Sequence, residues 1–238
     1  MGDNRAVEWE GFFNTRDLGG LPTRSGGRTA SGRFYRSATL RFVTAAGWDQ
    51  ARESGLRTIV DLRNPAEIST YAATVPSGMT RLEVPMDDVE DTEFWQYIAD
   101  EQLDGTPLYY RVFLARKAER CATVLRTLAQ AEGGVLFHCT SGRDRTGLVS
   151  LLLLALADVE PETIAADYAL STEAVLPLYR ALGVEDQTAL LEAALARRQT
   201  TVREAVLATL DGFGVRDYLV RAGLAADEVD RLRDRLSR

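Results

Sequence analysis

The 238-residue chain carries 28 lysines and arginines against 35 aspartates and glutamates, a formal net charge of −7, which argues against a general basic face for nucleic acid. Two cysteines and one histidine exclude a disulfide scaffold, and they exclude a four-ligand thiolate–imidazole zinc site that does without carboxylates. With 45% hydrophobic residues, the length supports one sizeable core, and a single domain over 1–238 is expected.

The start, MGDNRAVEWEGFF, lacks a basic segment followed by an apolar run, so no signal peptide is expected. A reducing, cytoplasmic setting fits the sparse cysteines. Residues 14–37, NTRDLGGLPTRSGGRTASGRFYRS, are dense in glycine and read as short hairpin-like strands anchored by Leu18, Leu21, Phe34 and Tyr35. Thr44 reads as the N-cap of a helix through Ser54, stopped by Gly55. LRTIVDL (56–62) is β-branched and flanked by Gly55 and Pro65, which predicts a buried strand, and TRLEVPM (80–86) is a second candidate. Apolar residues from Leu108 to Leu128 recur at mostly helical spacing and predict one long helix over 107–131, ending near Gly133 and Gly134.

GVLFHC (134–139) is a short apolar strand. Residues 145–157 form a helix that is apolar nearly all round and therefore buried; its apolar run is too short to span a bilayer. Pro161 opens a helix through Leu170, and amphipathic segments follow at 174–182, 186–198, 200–211 and 227–238. Strands alternating with helices predict an α/β fold with a mostly parallel central sheet flanked by helices. The C-terminal helices add a lid or subdomain over 172–212.

HCTSGRDRTG (138–147) joins the apolar strand to the apolar helix. The strand puts Cys139 at a carboxyl end of the sheet, where open α/β folds bind ligands. The turn through Thr140, Ser141, Gly142, Arg143, Asp144 and Arg145 lets backbone N–H groups converge on one anion, and the positive end of the following helix adds to that field. Gly142 permits the tight turn, and the Arg145 guanidinium can grip two phosphate oxygens. The same field favours a thiolate at Cys139, and Thr146 is placed to donate to the sulfur. His138 reads as a brace, because adjacent strand residues point to opposite faces; without a second histidine a Cys-His dyad is excluded.

This pattern resembles the HC-x5-R-[ST] signature of cysteine-dependent phosphatases, and its ending is similar to the bacterial tyrosine-phosphatase family whose loop reads HCxxGKDRTG. NTRDLGG (14–20), GRFYRSATL (32–40), TIVDLRNPAE (58–67), DYALS (167–171) and YLVRAGL (218–224) also resemble that family, so the likeness spans most of the chain. Arg143 stands where lysine is usual, and Thr15 where phenylalanine is usual. The resemblance implies a phosphomonoesterase with no metal or cofactor, acting through a phosphocysteine on a phosphorylated protein or a phosphoinositide. Phosphotyrosine is the first expected substrate, with phosphoserine/threonine as an alternative. The resemblance also implies Asp144 as general acid. A phosphate-binding module without turnover is the rival reading, and a rhodanese-like sulfurtransferase is disfavoured by the arginine at the sixth position.

The residues alone leave the acid open. Asp144 lies in the loop, within one side chain of a leaving group, or else pairs with Arg143. Asp61 ends its strand and either points at the pocket as a catalytic carboxyl or pairs with Arg63. Asp87 or Asp88 is a third candidate, although MDDVEDTE (86–93) reads more simply as a solvated acidic loop. Arg16 and Asp17 read as a structural ion pair, and Cys121 as core. The resemblance implies that the helices over 174–198 cover the loop as a lid; ordinary domain packing is the alternative, and their alanines and leucines fit either.

Overall fold

The computed structural model describes residues 5–237; the first four residues of the stretch read for a leader, and Arg238 at the end of the last predicted helix, lie outside the described residues. Five strands form one sheet: β1 (Arg16–Asp17), β2 (Phe34–Ser37), β3 (Leu56–Asp61), β4 (Thr80–Glu83) and β5 (Gly134–His138). Their spatial order is β1-β2-β5-β3-β4. β2, β5, β3 and β4 run parallel, and β1 pairs antiparallel with β2. The mostly parallel α/β fold is the one the sequence predicts.

β5 lies at the centre and every one of its residues is buried, as in strands covered on both faces. The two-residue period divides its side chains. Val135 and Phe137 join the larger core, with Leu125, Leu128, Leu148 and Leu152. Leu136 joins the smaller one on the other face, with Trp9, Tyr35, Trp48 and Ile59.

Thirteen helices surround the sheet among the described residues. The first five are α1 (Ala45–Glu53), α2 (Pro65–Thr70), α3 (Thr92–Asp100), α4 (Tyr110–Arg116) and α5 (Ala118–Gln130). Next come α6 (Asp144–Leu156), α7 (Pro161–Ala169), α8 (Ser171–Ala174) and α9 (Leu176–Leu182). The chain closes with α10 (Thr188–Arg197), α11 (Val202–Leu210), α12 (Val215–Arg221) and α13 (Ala226–Ser237). In α1, Thr44 caps the Gly47 N–H as expected. α6 is buried from Thr146 through Leu154, and no helix among the described residues is long and apolar enough to cross a membrane.

The expected single helix over 107–131 is instead a 3-10 turn at Pro107–Tyr109 followed by α4 and α5, broken at Lys117. The Lys117 ammonium turns inward to Asp91 and Asp88, above the Phe94 ring. Both pieces bury apolar faces, so the apolar periodicity runs through the break and hides it. The acidic stretch is also corrected: Asp91 caps α3 by accepting from the Phe94 N–H, and only part of the run faces water.

β4 is shorter than the predicted strand, but Val84 and Met86 still donate to the Asp61 and Leu62 carbonyls (2.8 and 3.1 Å), which carries extended chain up to Asp87. α2, with its Asn64–Glu67 capping box, α3 and α12 are additions to the sequence reading. Within 172–212, α11 packs against α7 with Val206 fully buried, whereas α10 buries only Ala194 and Leu195 and leaves Leu190 72% exposed.

Candidate active site

The loop after β5 is shaped from outside. The Thr140, Ser141 and Gly142 carbonyls accept from the Thr39 N–H (2.9 Å), Asn14 Nδ2 (3.0 Å) and Arg36 Nη2 (2.8 Å). Each planar trans peptide then aims the next N–H, on Ser141, Gly142 and Arg143, the opposite way. Gly142 sits at φ +69°, and a Cβ there would lie 2.5 Å from the Ser37 carbonyl oxygen, so a side chain is excluded on two counts. Cys139 is buried at the start of this turn, and Thr146 Oγ1 donates to its sulfur at 3.1 Å, the contact the sequence suggested.

Arg145 has five N–H groups. Its Nη1 and Nη2 donate to the two oxygens of Glu67, both at 2.6 Å, and Nη1 also meets Asp87 Oδ2 at 3.0 Å. The Nε–H and one Nη2–H remain, side by side on one edge, which is the geometry for gripping two oxygens of a single anion. Glu67 also accepts from Thr140 Oγ1 and the Asn64 N–H. Burial opposes its ionisation, but Arg145, Thr140 and Asn64 hold its carboxyl down to about 2. Sequence reasoning missed Glu67; the capping box in Asn-Pro-Ala-Glu (64–67) marks it as a carboxylate turned back toward the preceding strand end.

Two further carboxyls flank this group. Asp144 opens α6; its Oδ1 accepts from Tyr168 Oη (2.8 Å) and its carbonyl from Tyr110 Oη (2.7 Å). Burial, with the Glu67 and Asp144 charges adding, pushes the Asp87 carboxyl up against the pull of Arg145. Arg143 contributes its backbone to the loop. Its guanidinium, however, lies in an adjoining crevice beside Gly105, Tyr168, Thr188 and Leu191, which none of Cys139, Thr140, Ser141, Gly142 or Arg145 lines.

Asp61 is corrected as a pocket carboxyl. It is fully buried and accepts from Arg63 Nε and Nη2 and from Arg81 Nη2 (2.7–2.8 Å), with His138 Nε2 at 3.5 Å. Burial opposes, but Arg63 and His138 hold its carboxyl down to about 2. The expected Arg16–Asp17 pair is also absent, since neighbours on a strand face apart. Asp17 accepts from the Gly19 and Gly32 N–H groups. Arg16 joins Arg5 and Arg36 on the buried Asp167 (2.7–2.9 Å), and burial lowers the Arg16 guanidinium to about 10. Cys121 lies in the core, as expected.

His138 is a brace: it is fully buried, with Nδ1 3.1 Å from the Cys139 carbonyl oxygen. Burial pushes it from 6.5 down to about 4. Because the folded value lies below the unfolded one, its contribution is complete above pH 6.5 and is lost as pH falls toward 4. Urea unfolding at pH 7 and pH 4 should show wild type losing on the order of 3 kcal/mol more than His138→Gln. Equal losses would assign the pH dependence elsewhere.

Among the described residues, no group of three His, Cys, Asp or Glu side chains is arranged to hold a metal ion. The family model described as "Tyrosine phosphatase family" matches residues 7–238. A protein of Cupriavidus necator, assigned by name to the tyrosine-protein phosphatases, is 33% identical over 240 residues, covering 93% of this chain and 85% of its own. The triple specificity protein phosphatase PtpB of Mycobacterium tuberculosis is 30% identical over 251 residues, covering 93% and 88%. The crystal structure of P. aeruginosa TpbA overlaps with a TM-score of 0.41 and 18% identity, covering 81% of this chain and 87% of that one. A match over nearly the whole length, on a chain whose cysteine loop is built as above, shows that this protein belongs to the tyrosine phosphatase family of enzymes.

Proposed function

We propose that this enzyme hydrolyses phosphomonoesters through a phosphocysteine at Cys139, with phosphotyrosine as its first substrate. The observation that carries the reading is the pair of N–H groups left on one edge of Arg145, beside a loop whose Thr140, Ser141 and Gly142 carbonyls are tied outside. A phosphoryl group then takes the Arg145 edge and the N–H groups of residues 140–146, and the Cys139 sulfur attacks phosphorus. The bond to the leaving oxygen breaks as Asp144 passes its proton to that oxygen. Water next attacks phosphorus, its proton returns to the Asp144 carboxylate, and the S–P bond breaks to release inorganic phosphate and the thiolate. The name of the mycobacterial relative records triple specificity, which supports phosphoserine/threonine esters as further substrates; phosphoinositides remain in the proposed range. We read the chain as one catalytic domain, in which α10 alone of the segment 172–212 is free enough of the core to act as a lid.

Asp87 is the competing acid, because burial beside two carboxylates favours its protonated form. Rapid quenching with phenyl phosphate, followed by mass spectrometry, tests both points. Wild type should yield phosphate on Cys139, and Asp144→Asn should slow its formation by roughly 10²–10⁴-fold, the usual worth of general acid catalysis. If Asp87→Asn slows formation and Asp144→Asn does not, the acid is Asp87. If wild type never carries phosphate on Cys139 while turning over, the mechanism is wrong.

A further inference from the structure

We infer that Tyr168 is a positioning residue that fixes which oxygen of Asp144 carries the transferred proton. The inference rests on Asp144 as general acid. Two tyrosine hydroxyls converge on this one residue: Tyr110 Oη donates to its carbonyl oxygen at 2.7 Å, and Tyr168 Oη donates to its side-chain Oδ1 at 2.8 Å. The rings of Tyr110 and Tyr168 pack edge to face, with centroids 6.0 Å apart, and both are buried. Gly147, one turn into α6, makes room for them: a Cβ there would lie 2.7 Å from Tyr110 Oη and 2.9 Å from the Tyr168 ring.

The direction of the hydrogen bond decides the chemistry. Burial pushes the Tyr168 phenol well above its ordinary range, with Asp144 adding and Arg143 opposing, so the hydroxyl keeps its proton, and Asp144 Oδ1 is the acceptor that the hydroxyl meets. A proton on Oδ1 would leave the buried Tyr168 O–H without that acceptor, so the proton, when present, is favoured on Oδ2. Arg143 Nε pairs with Oδ2 at 3.4 Å, the pairing named as the alternative role of Asp144, and this contact is longer than the one on Oδ1, so Oδ2 is the oxygen that gives way to a proton. With one oxygen tethered, the carboxyl cannot rotate to present the wrong one, and proton transfer starts from a single geometry. Tyr168 itself neither gives nor takes a proton.

A leaving-group series separates this role from simple packing, because a misplaced acid matters little when the leaving group departs easily. For Tyr168→Phe the loss in kcat should grow from about twofold with p-nitrophenyl phosphate to about tenfold with phenyl phosphate, a fraction of what general acid catalysis supplies. KM and tungstate affinity should stay near wild type. Asp144→Asn should show the same trend, more steeply. If Asp144→Asn follows the trend and Tyr168→Phe loses equally on every substrate, or loses nothing, the positioning role is wrong and the acid stands. If Asp144→Asn shows no trend, the acid assignment falls and Tyr168 falls with it. Should Tyr168→Phe not fold, the Cζ resonance of Tyr168 in ¹³C-tyrosine-labelled enzyme decides: it should move in Asp144→Asn, and an unmoved resonance overturns the inference.

Discussion

Cys139→Ser abolishes turnover of p-nitrophenyl phosphate in the presence of EDTA while the loop still binds an oxyanion; that is the largest effect expected of any single change. The cysteine side chain enters the loop's bonding only through the Thr146 hydroxyl. The ties run through carbonyls, from Asn14, Arg36 and Thr39, and the turn itself is set by Gly142. Serine therefore fits the same space, and Thr146 Oγ1 still has an oxygen to donate to. What disappears is the nucleophile, since an alkyl hydroxyl does not ionise under conditions that ionise a thiol. With no second histidine and His138 braced against the Cys139 carbonyl, no imidazole is at hand to activate a serine. A fall of at least about 10⁴-fold is expected, comparable to removing a nucleophile elsewhere. Steady-state kinetics and tungstate titration by calorimetry check the two halves. Surviving turnover sinks the covalent mechanism, and lost tungstate binding sinks the claim that the loop is shaped from outside.

Arg145→Lys, which keeps the charge, should be nearly as damaging. The guanidinium satisfies three demands at once: the end-on edge holds Glu67, one Nη1–H holds Asp87, and the side edge remains for the substrate. An ammonium has three N–H groups and no plane, and Glu67 and Asp87 claim two of them, leaving one donor where two parallel ones stood. Losing one oriented donor to a transition-state oxygen costs roughly 10²–10³-fold, and kcat/KM should fall by about 10³ once the geometry is lost as well. A loss below tenfold would mean that backbone N–H groups hold the phosphoryl group unaided.

What was legible in the sequence was local. The loop, its glycine, the Thr146–Cys139 contact and the flanking strand and helix all lie within one short stretch, so spacing and side-chain period suffice to build them. Thr44 as a cap and the non-basic role of His138 follow from the same local rules. Glu67, Asp87 and Asp167 were not legible as a set, because their partners are set by strand register and helix packing, which no local pattern encodes. Asp61 shows the limit most sharply. Its place at a strand end allowed two readings, and only the arrival of Arg81 from β4, two strands across from β5, makes its pairing complete. The break at Lys117 was hidden for the opposite reason: a local pattern was present and continued through it.

Asp167 is the one carboxylate on which Arg5, Arg16 and Arg36 meet, and Arg36 reaches from there to the Gly142 carbonyl. Synthesis on the ribosome runs from the amino terminus, so Cys139 emerges before Asp167 does. Until it follows, Arg36, the strand arginine that holds the Gly142 carbonyl, lacks its counter-charge, and the loop around Cys139 has one tie unfinished. The order of residues thus makes the finished loop depend on α7, which is made after the loop itself.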